Sequence, residues 1–335
     1  MITRRSLLGL ALGATMLTGM SSILSAAEAP VVLYSALDTA VPAAAAFQKK
    51  TGHEVKLVSL STGELLGKIA AEGANPQFDL VWVEGSAVMR RMAGDGLLAP
   101  MADVAKAAPY TDMGKKLLTS DAMYLPTSMS GTAIIINTKK LPDAKIESWA
   151  DLAALAGKVA AKDPNFSGPS FQWLAGIMQT NGEAAVKEML PKILTVKKLS
   201  GIPSGGALNK ALLTGDAAAG IQQDTNVYGL IDKGEAVRIV YPKDGVVALP
   251  ASIGLNAKSK NADIAKQFVA YVLSAEGQAE MQSVDETDSF YAPIIVGVKA
   301  KGTRPDKTDW VLLDDAVAAK HEADWKKWYR DSFVP

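Results

Sequence analysis

In the stretch FDLVWVEGS, residues 78–86, a carboxylate stands at the end of an apolar run. Leu80-Val81-Trp82-Val83 is apolar on both faces, the pattern of a strand in a parallel sheet covered by helices. Glu84 follows at once, then Gly85 and Ser86. An acid placed where a buried strand emerges needs water or a partner, so Glu84 reads as a group facing a cleft. Catalysis has little to work with. The chain holds no G-x-S-x-G, H-E-x-x-H or G-x-x-x-x-G-K-[ST] pattern. Its two histidines, His53 in a helix-to-strand turn and His321 in a charged helix, read as solvated surface residues. Cysteine is absent, which excludes disulfides, thiolate metal sites and a cysteine nucleophile.

Other stretches offer hydroxyls and backbone N–H groups suited to an anion. In STGEL, Ser61 and Glu64 have the spacing of a capping box, while Ser61 and Thr62 could equally touch a ligand. In DPNFSGPSFQWLAGI, Ser167 is placed to cap a helix with Pro169 in its first turn. Ser167, Gly168 and Ser170 would then bring hydroxyls and close backbone approach to a positive helix end. GIPSGGALNKAL makes a similar start with Ser204, Gly205 and Gly206. In AAAGIQQDTNVYG an apolar strand ends in a polar burst, which reads either as an ordinary loop or as placing Asp224 in the cleft.

These groups need elements to position them. From residue 31 the order is strand VVLYSA, helix TAVPAAAAFQKKTG, strand EVKLVSL, helix GELLGKIAAEG and strand FDLVWVE. That β-α-β-α-β order predicts an α/β fold on a parallel sheet, with right-handed crossovers. Ligands then bind beyond the C-terminal strand ends. Those ends carry Asp38, Ser61, Thr62, Glu84 and Ser86. A second alternation begins at GTAIIINT and runs through KVAAKDP, AAAGIQQD and AVRIVYP. YLPTSMSGTA, which contains Ser130, and VVALPASIGLN would carry the chain between two domains as a hinge. NADIAKQFVAYVLSAEGQAEM follows as one helix with Ile264, Phe268 and Val272 on its buried face.

The chain has 335 residues, enough for about two domains. With 35 basic and 35 acidic residues its net charge is zero, which argues against nucleic acid or an anionic membrane as partner. The N-terminus MITRRSLLGLALGATMLTGMSSILSAAEAP has a basic start, an apolar run and a small-residue end. Residues 1–27 read as a signal peptide, and Thr3-Arg4-Arg5-Ser6-Leu7-Leu8 resembles a twin-arginine signal, with a plain Sec signal as the other reading. Its loss removes Arg4 and Arg5 and no acid, leaving a mature charge of −2. The expected mature protein is soluble and exported to the periplasm.

The run from VVLYSALD through FDLVWVEGSAVMRRMAGDGLLAP resembles the opening of extracellular solute-binding proteins of ABC importers. The branch is the one with ferric-ion-binding and 2-aminoethylphosphonate-binding members. NADIAKQFVAYVLSAEGQAEM and DDAVAAKHEADWKKWYRDSF resemble the late and closing helices of that family. The resemblance implies a two-lobed, type II-like fold with two mixed or parallel sheets, flanked by helices and joined by a hinge. It would close on a solute and present it to a membrane permease. The implied organisation is 28–127 plus about 253–300 as one lobe, with 128–252 plus about 301–335 as the other. Carried over by position, Glu84 falls on the metal-binding glutamate of ferric members and Ser167-Gly168 on their anion site. Asp38 stands near the family's histidine, and Asp224-Thr225 replace its tyrosine pair.

The resulting expectation is a substrate-binding component, not an enzyme, without cofactor and acting as a monomer. It captures a phosphonate- or phosphate-type or zwitterionic solute through Asp38, Ser61, Thr62, Glu84, Ser86, Ser130, Ser167, Gly168, Ser170, Ser204, Asp224 and Thr225. The alternatives are a metal held by Asp38, Glu84 and Asp224 with a bridging anion, and a ligand-sensing subunit of a signalling receptor.

Overall fold

The computed structural model describes residues 29–155, 157–285, 287–305 and 309–335. The expected signal peptide, residues 1–27, lies outside them. Ten strands run in chain order: β1 Val31–Ser35, β2 Val55–Ser59, β3 Leu80–Glu84, β4 Leu98–Ala99, β5 Leu125–Asn137, β6 Val159–Ala161, β7 Ala219–Gln223, β8 Val237–Val240, β9 Val246–Asn256 and β10 Trp310–Val311. The hydrogen-bonded order is β2-β1-β3-β9-β5-β7-β6, with β4 and β10 on β9 and β8 on β5.

The first β-α-β-α-β unit is as its alternation predicts. β1 pairs parallel to both β2 and β3. All five residues of β3 are buried: β1 and antiparallel β9 pair along its edges, and its side chains pack under helices on both faces. Helices Ala40–Thr51 and Thr62–Glu72 cross between these strands. Around them Leu33, Phe47, Leu80, Trp82, Ile253 and Phe268 form one apolar cluster.

A second cluster gathers Ile134, Ile136, Val159, Phe171, Trp173 and Ile221, with Trp325 and Tyr329 of the C-terminal helix Asp315–Phe333. Where two sheets were expected, β9 and β5 join the β2-β1-β3 side to the β7-β6 side in one continuous mixed sheet. β5 pairs with β9 from Leu125 to Gly131 and with β7 from Thr132 onward. Gly131 is where the strand passes from one partner to the other. The predicted helix over 261–281 is broken in two, Ala262–Val272 and Ala275–Met281. Ser274 separates them, donating to the Tyr271 carbonyl at 2.7 Å and accepting from the Gly277 N–H at 3.1 Å, so its hydroxyl caps a new helix instead of continuing the old one.

Candidate functional site

Strand ends and helix starts from both clusters meet around a cavity of about 380 Å³. From the first β-α-β-α-β unit come Asp38, Ser61, Thr62 and Glu84; from elements on the β7-β6 side of the sheet come Lys162, Ser167, Ser204 to Gly206, Gln223 and Asn226; Thr287 and Asp288 close one side. Phe166, 55% exposed, stands at the rim.

Glu84 is buried and not alone. Ser130 Oγ donates to its Oε1 at 2.6 Å, and Gln223 Nε2 donates to its Oε2 at 2.8 Å. The other end of the Gln223 amide accepts from Lys162 Nζ and, at 3.1 Å, from Asn226 Nδ2. Burial lifts the Glu84 carboxyl above its ordinary range, while the bonds from Ser130 and Gln223 and the charge of Lys162 oppose that rise. Burial brings the Lys162 ammonium down to about 8, against the opposing charges of Glu84 and Asp288.

Three helices begin at the cavity with different amounts of free donor. At Thr62–Glu72 the capping box is complete: Glu64 Oε2 takes both the Ser61 N–H at 2.9 Å and its hydroxyl at 2.7 Å. The Gly63 N–H is spent across the cleft on the Phe166 carbonyl at 3.0 Å, so this start has little left for an anion. Helix Gly168–Asn181 is capped by Ser167, whose Oγ accepts from the Ser170 N–H at 3.2 Å. Helix Gly205–Thr214 is capped by Ser204, and its first two N–H groups, on Gly205 and Gly206, have no helical partner. Contact across the cleft is close at two glycines. A Cβ on Gly63 would lie 2.8 Å from Phe166 Cα, and one on Gly168 would lie 2.6 Å from the Glu84 carbonyl oxygen.

Several expected residues lie elsewhere. Asp224 does not face the cavity: Arg304 grips it with Nη1 at 2.9 Å and Nη2 at 2.7 Å, and Tyr241 OH donates at 2.9 Å. It accepts the Gly131 N–H at 3.2 Å as well, so its charge is internally matched. The trio Asp38, Glu84 and Asp224 therefore does not assemble. Among the described residues no three His, Cys, Asp or Glu side chains are grouped to hold a metal ion. Ser86 points to a separate cavity of about 260 Å³, donating to Asp315 Oδ1 at 2.7 Å. The Ser170 hydroxyl donates to the Lys162 carbonyl at 3.0 Å and Thr225 is buried, neither lining the cavity. Ser130 supports Glu84 from within the core, and Gly168 supplies close backbone approach instead of a wall.

Residues 42–314 match the family model of bacterial extracellular solute-binding proteins. The chain belongs to that family. Among relatives, the major ferric iron-binding protein of Neisseria meningitidis serogroup B is 25% identical over 258 residues, covering 74% of this chain and 76% of that one. A Salmonella typhimurium periplasmic protein named for 2-aminoethylphosphonate binding is 24% identical over 314 residues, 85% of each chain. Among solved structures, the periplasmic binding protein AfuA of Actinobacillus pleuropneumoniae with fructose-6-phosphate superposes with a TM-score of 0.80 at 19% identity, over 91% of this chain and 98% of that one. Iron-bound HitA of Pseudomonas aeruginosa gives 0.77 at 22% identity, over 91% and 99%. These structures are two-lobed binding proteins, and this solute-binding protein shares their fold.

Sequence reasoning missed Lys162, Gln223, Asn226, Thr287 and Asp288 in this solute-binding protein's cavity. Lys162 carried the same signal as Glu84, a charge directly after the buried strand β6. Gln223 lies one residue before the favoured Asp224; β7 ends with Gln223 aimed at Glu84, whereas Asp224 already turns into the next helix. Asp288 lies in the single turn Thr287–Phe290, where no strand or helix period marks a facing side.

Proposed function

We propose that this protein is the substrate-binding component of an ABC importer and captures a small phosphonate- or phosphate-type solute between its lobes. The observation that carries the reading is the grouping of Lys162 with the helix starts at Ser167 and Ser204–Gly206 around one cavity that Glu84, Asp38 and Asp288 also line. Helix N-termini and a lysine are the elements that hold phosphoryl oxygens. A volume of about 380 Å³ suits a small organic solute, within the range of about 300–1,000 Å³ usual for such pockets.

The moving parts are 28–127 with about 253–300, against 128–252 with about 301–335. The strands β5 and β9 connect them. The closed, loaded form is handed as a monomer to the permease, without turnover of the solute. Export runs through the twin-arginine signal. If Arg4→Lys with Arg5→Lys leaves periplasmic accumulation unchanged, the signal is of the Sec type.

A thermal-shift screen over phosphonates, phosphate esters, polyamines and ferric salts tests the ligand. A phosphonate or phosphate ester at about 100 times its Kd adds about 2.7 kcal/mol to stability and raises the melting temperature. Stabilisation by ferric salts alone would refute the phosphoryl reading.

A further inference from the structure

We propose that Asp315 latches the two lobes together from the reverse face of the hinge, so that part of the ligand-free protein is held closed before any solute arrives. The inference rests on the lobe motion proposed above and concerns contacts outside the ligand cavity.

The cavity of about 260 Å³ beside Ser86 also lies between the lobes, yet it shares no lining residue with the ligand cavity. Ala248 and Pro250, alternate residues on one face of the hinge strand β9, line it. Asp315 begins the C-terminal helix, which packs into the second apolar cluster through Ala318, Trp325 and Tyr329. Its hydroxyl donors belong to the other lobe. Ser86 Oγ donates to its Oδ1 at 2.7 Å and Tyr124 OH to its Oδ2 at 3.0 Å. Ser86 follows β3 by two residues, and Tyr124 belongs to the cluster of Tyr34, Val83 and Met89. Ser86 in turn accepts from Gln172 Nε2 at 3.0 Å, on the helix that Ser167 caps. The network thus ties the strand that carries Glu84 to a helix that opens at the ligand cavity.

Asp315 depends on those hydroxyls. Arg90, the guanidinium bordering this cavity, is committed to Asp121 at 2.7 Å. Burial lifts the Asp315 carboxyl above its ordinary range, and the bonds from Ser86 and Tyr124 oppose the rise. Bonds to a carboxylate are charge-assisted and stronger than neutral ones. Arg91 and Glu322, 3.2 Å apart, span the lobes as well, but Arg91 is 37% exposed and solvent screens the pair. The Gly63 N–H meets the Phe166 carbonyl at the front of the cleft while the Asp315 bonds are made behind it. A rotation that parts the front pair also shifts Ser86 and Tyr124 against Asp315, and a shift of about 1 Å ends hydrogen bonds of this length. Opening therefore gives up the latch. Apparent affinity scales with the fraction already closed, so Ser86 and Tyr124 tune capture without touching the solute.

The chain has no cysteine, so Ala70→Cys with Lys210→Cys places two spin labels on exposed positions of helices Thr62–Glu72 and Gly205–Thr214, one in each lobe.

Double electron–electron resonance on the ligand-free mature protein then reads the lobe separation with no solute present. The labelled protein should show a short and a long separation. Adding Ser86→Ala with Tyr124→Phe should lower the ratio of short to long about tenfold, and each single substitution should lower it part of the way. Asp315→Asn, which keeps the shape and loses the charge, should fall between the unsubstituted protein and the double variant. Thermal transitions check folding, and the single variants decide if the double one does not fold. The same ratio in all proteins, or only the long separation without substitution, overturns the latch and leaves the lobe motion standing. Only the short separation in every protein overturns both.

Discussion

Glu84 and Lys162 are linked through the two ends of one amide, Gln223 Nε2 donating to the carboxylate at 2.8 Å and Gln223 Oε1 accepting from the ammonium. An amide between opposite charges lets each be partly neutralised while neither is fully spent. Lys162 keeps donors for a ligand that a direct ion pair would have consumed.

The first prediction follows from that ammonium. The proposed phosphoryl anion would bind the protonated lysine, so affinity should be full below about pH 8 and should fall as pH rises past it. Lys162→Met should lose about ten- to a hundredfold in affinity at neutral pH. Calorimetry of both proteins across the range cancels the ligand's own titration. Parallel pH profiles would remove Lys162 from the anion site.

The pair Asp224–Arg304, 0% and 1% exposed at the side chains, predicts a stability effect. Arg304→Met leaves a buried, unmatched carboxylate and should cost about 3–5 kcal/mol in denaturant unfolding. Adding Asp224→Asn should restore much of it. A change in Arg304→Met no greater than for a surface ion pair, under about 1 kcal/mol, would show that the buried pairing is wrong.

Under the proposed lobe motion, contact across the cleft at Gly63 predicts a penalty confined to the closed state. In Gly63→Ala the added Cβ meets the Phe166 backbone at 2.8 Å, but only where the lobes touch. Solute affinity should fall several-fold while the melting temperature of the ligand-free protein changes little. X-ray scattering should show less compaction on ligand addition. Unimpaired affinity and compaction would mean that Gly63 and Phe166 separate in the loaded form.

Asp288 predicts the pH dependence of the ligand-free protein. Its folded-state carboxyl is raised well above its ordinary value by burial and by Glu84 and Asp38, so the folded state binds its proton more tightly than the unfolded state. The associated stability is present at low pH and is lost as pH rises through the raised value. Asp288→Asn should therefore melt higher than wild type at neutral pH, and the gap should close on acidification. A gap that widens toward low pH contradicts the assignment.

The strand-helix order and the partly apolar, partly polar rhythm of residues 31–84 were legible because both faces of β3 and one face of each crossing helix are buried. Glu84, Ser167 and Ser204 were legible as cavity residues for the same reason: a strand end or helix cap fixes where a side chain emerges. Asp224 was misread because its partner, Arg304, lies 80 residues away and nothing in the local pattern reports a distant guanidinium. Ser86 was misread because a helix start turns its hydroxyl toward Asp315, 229 residues on. Asp288 was invisible for want of any period. Polar pairing over long sequence distance is what periodicity cannot encode.

The central claim is the placement of the phosphoryl group, and a crystal structure of the 2-aminoethylphosphonate complex tests it most directly. The expected result has phosphonate oxygens within about 3 Å of Lys162 Nζ and of N–H groups at Gly205 or Gly206. A phosphonate lodged on the Glu84 and Asp288 side, or a metal ion held there with Lys162 left facing Gln223 alone, would contradict it.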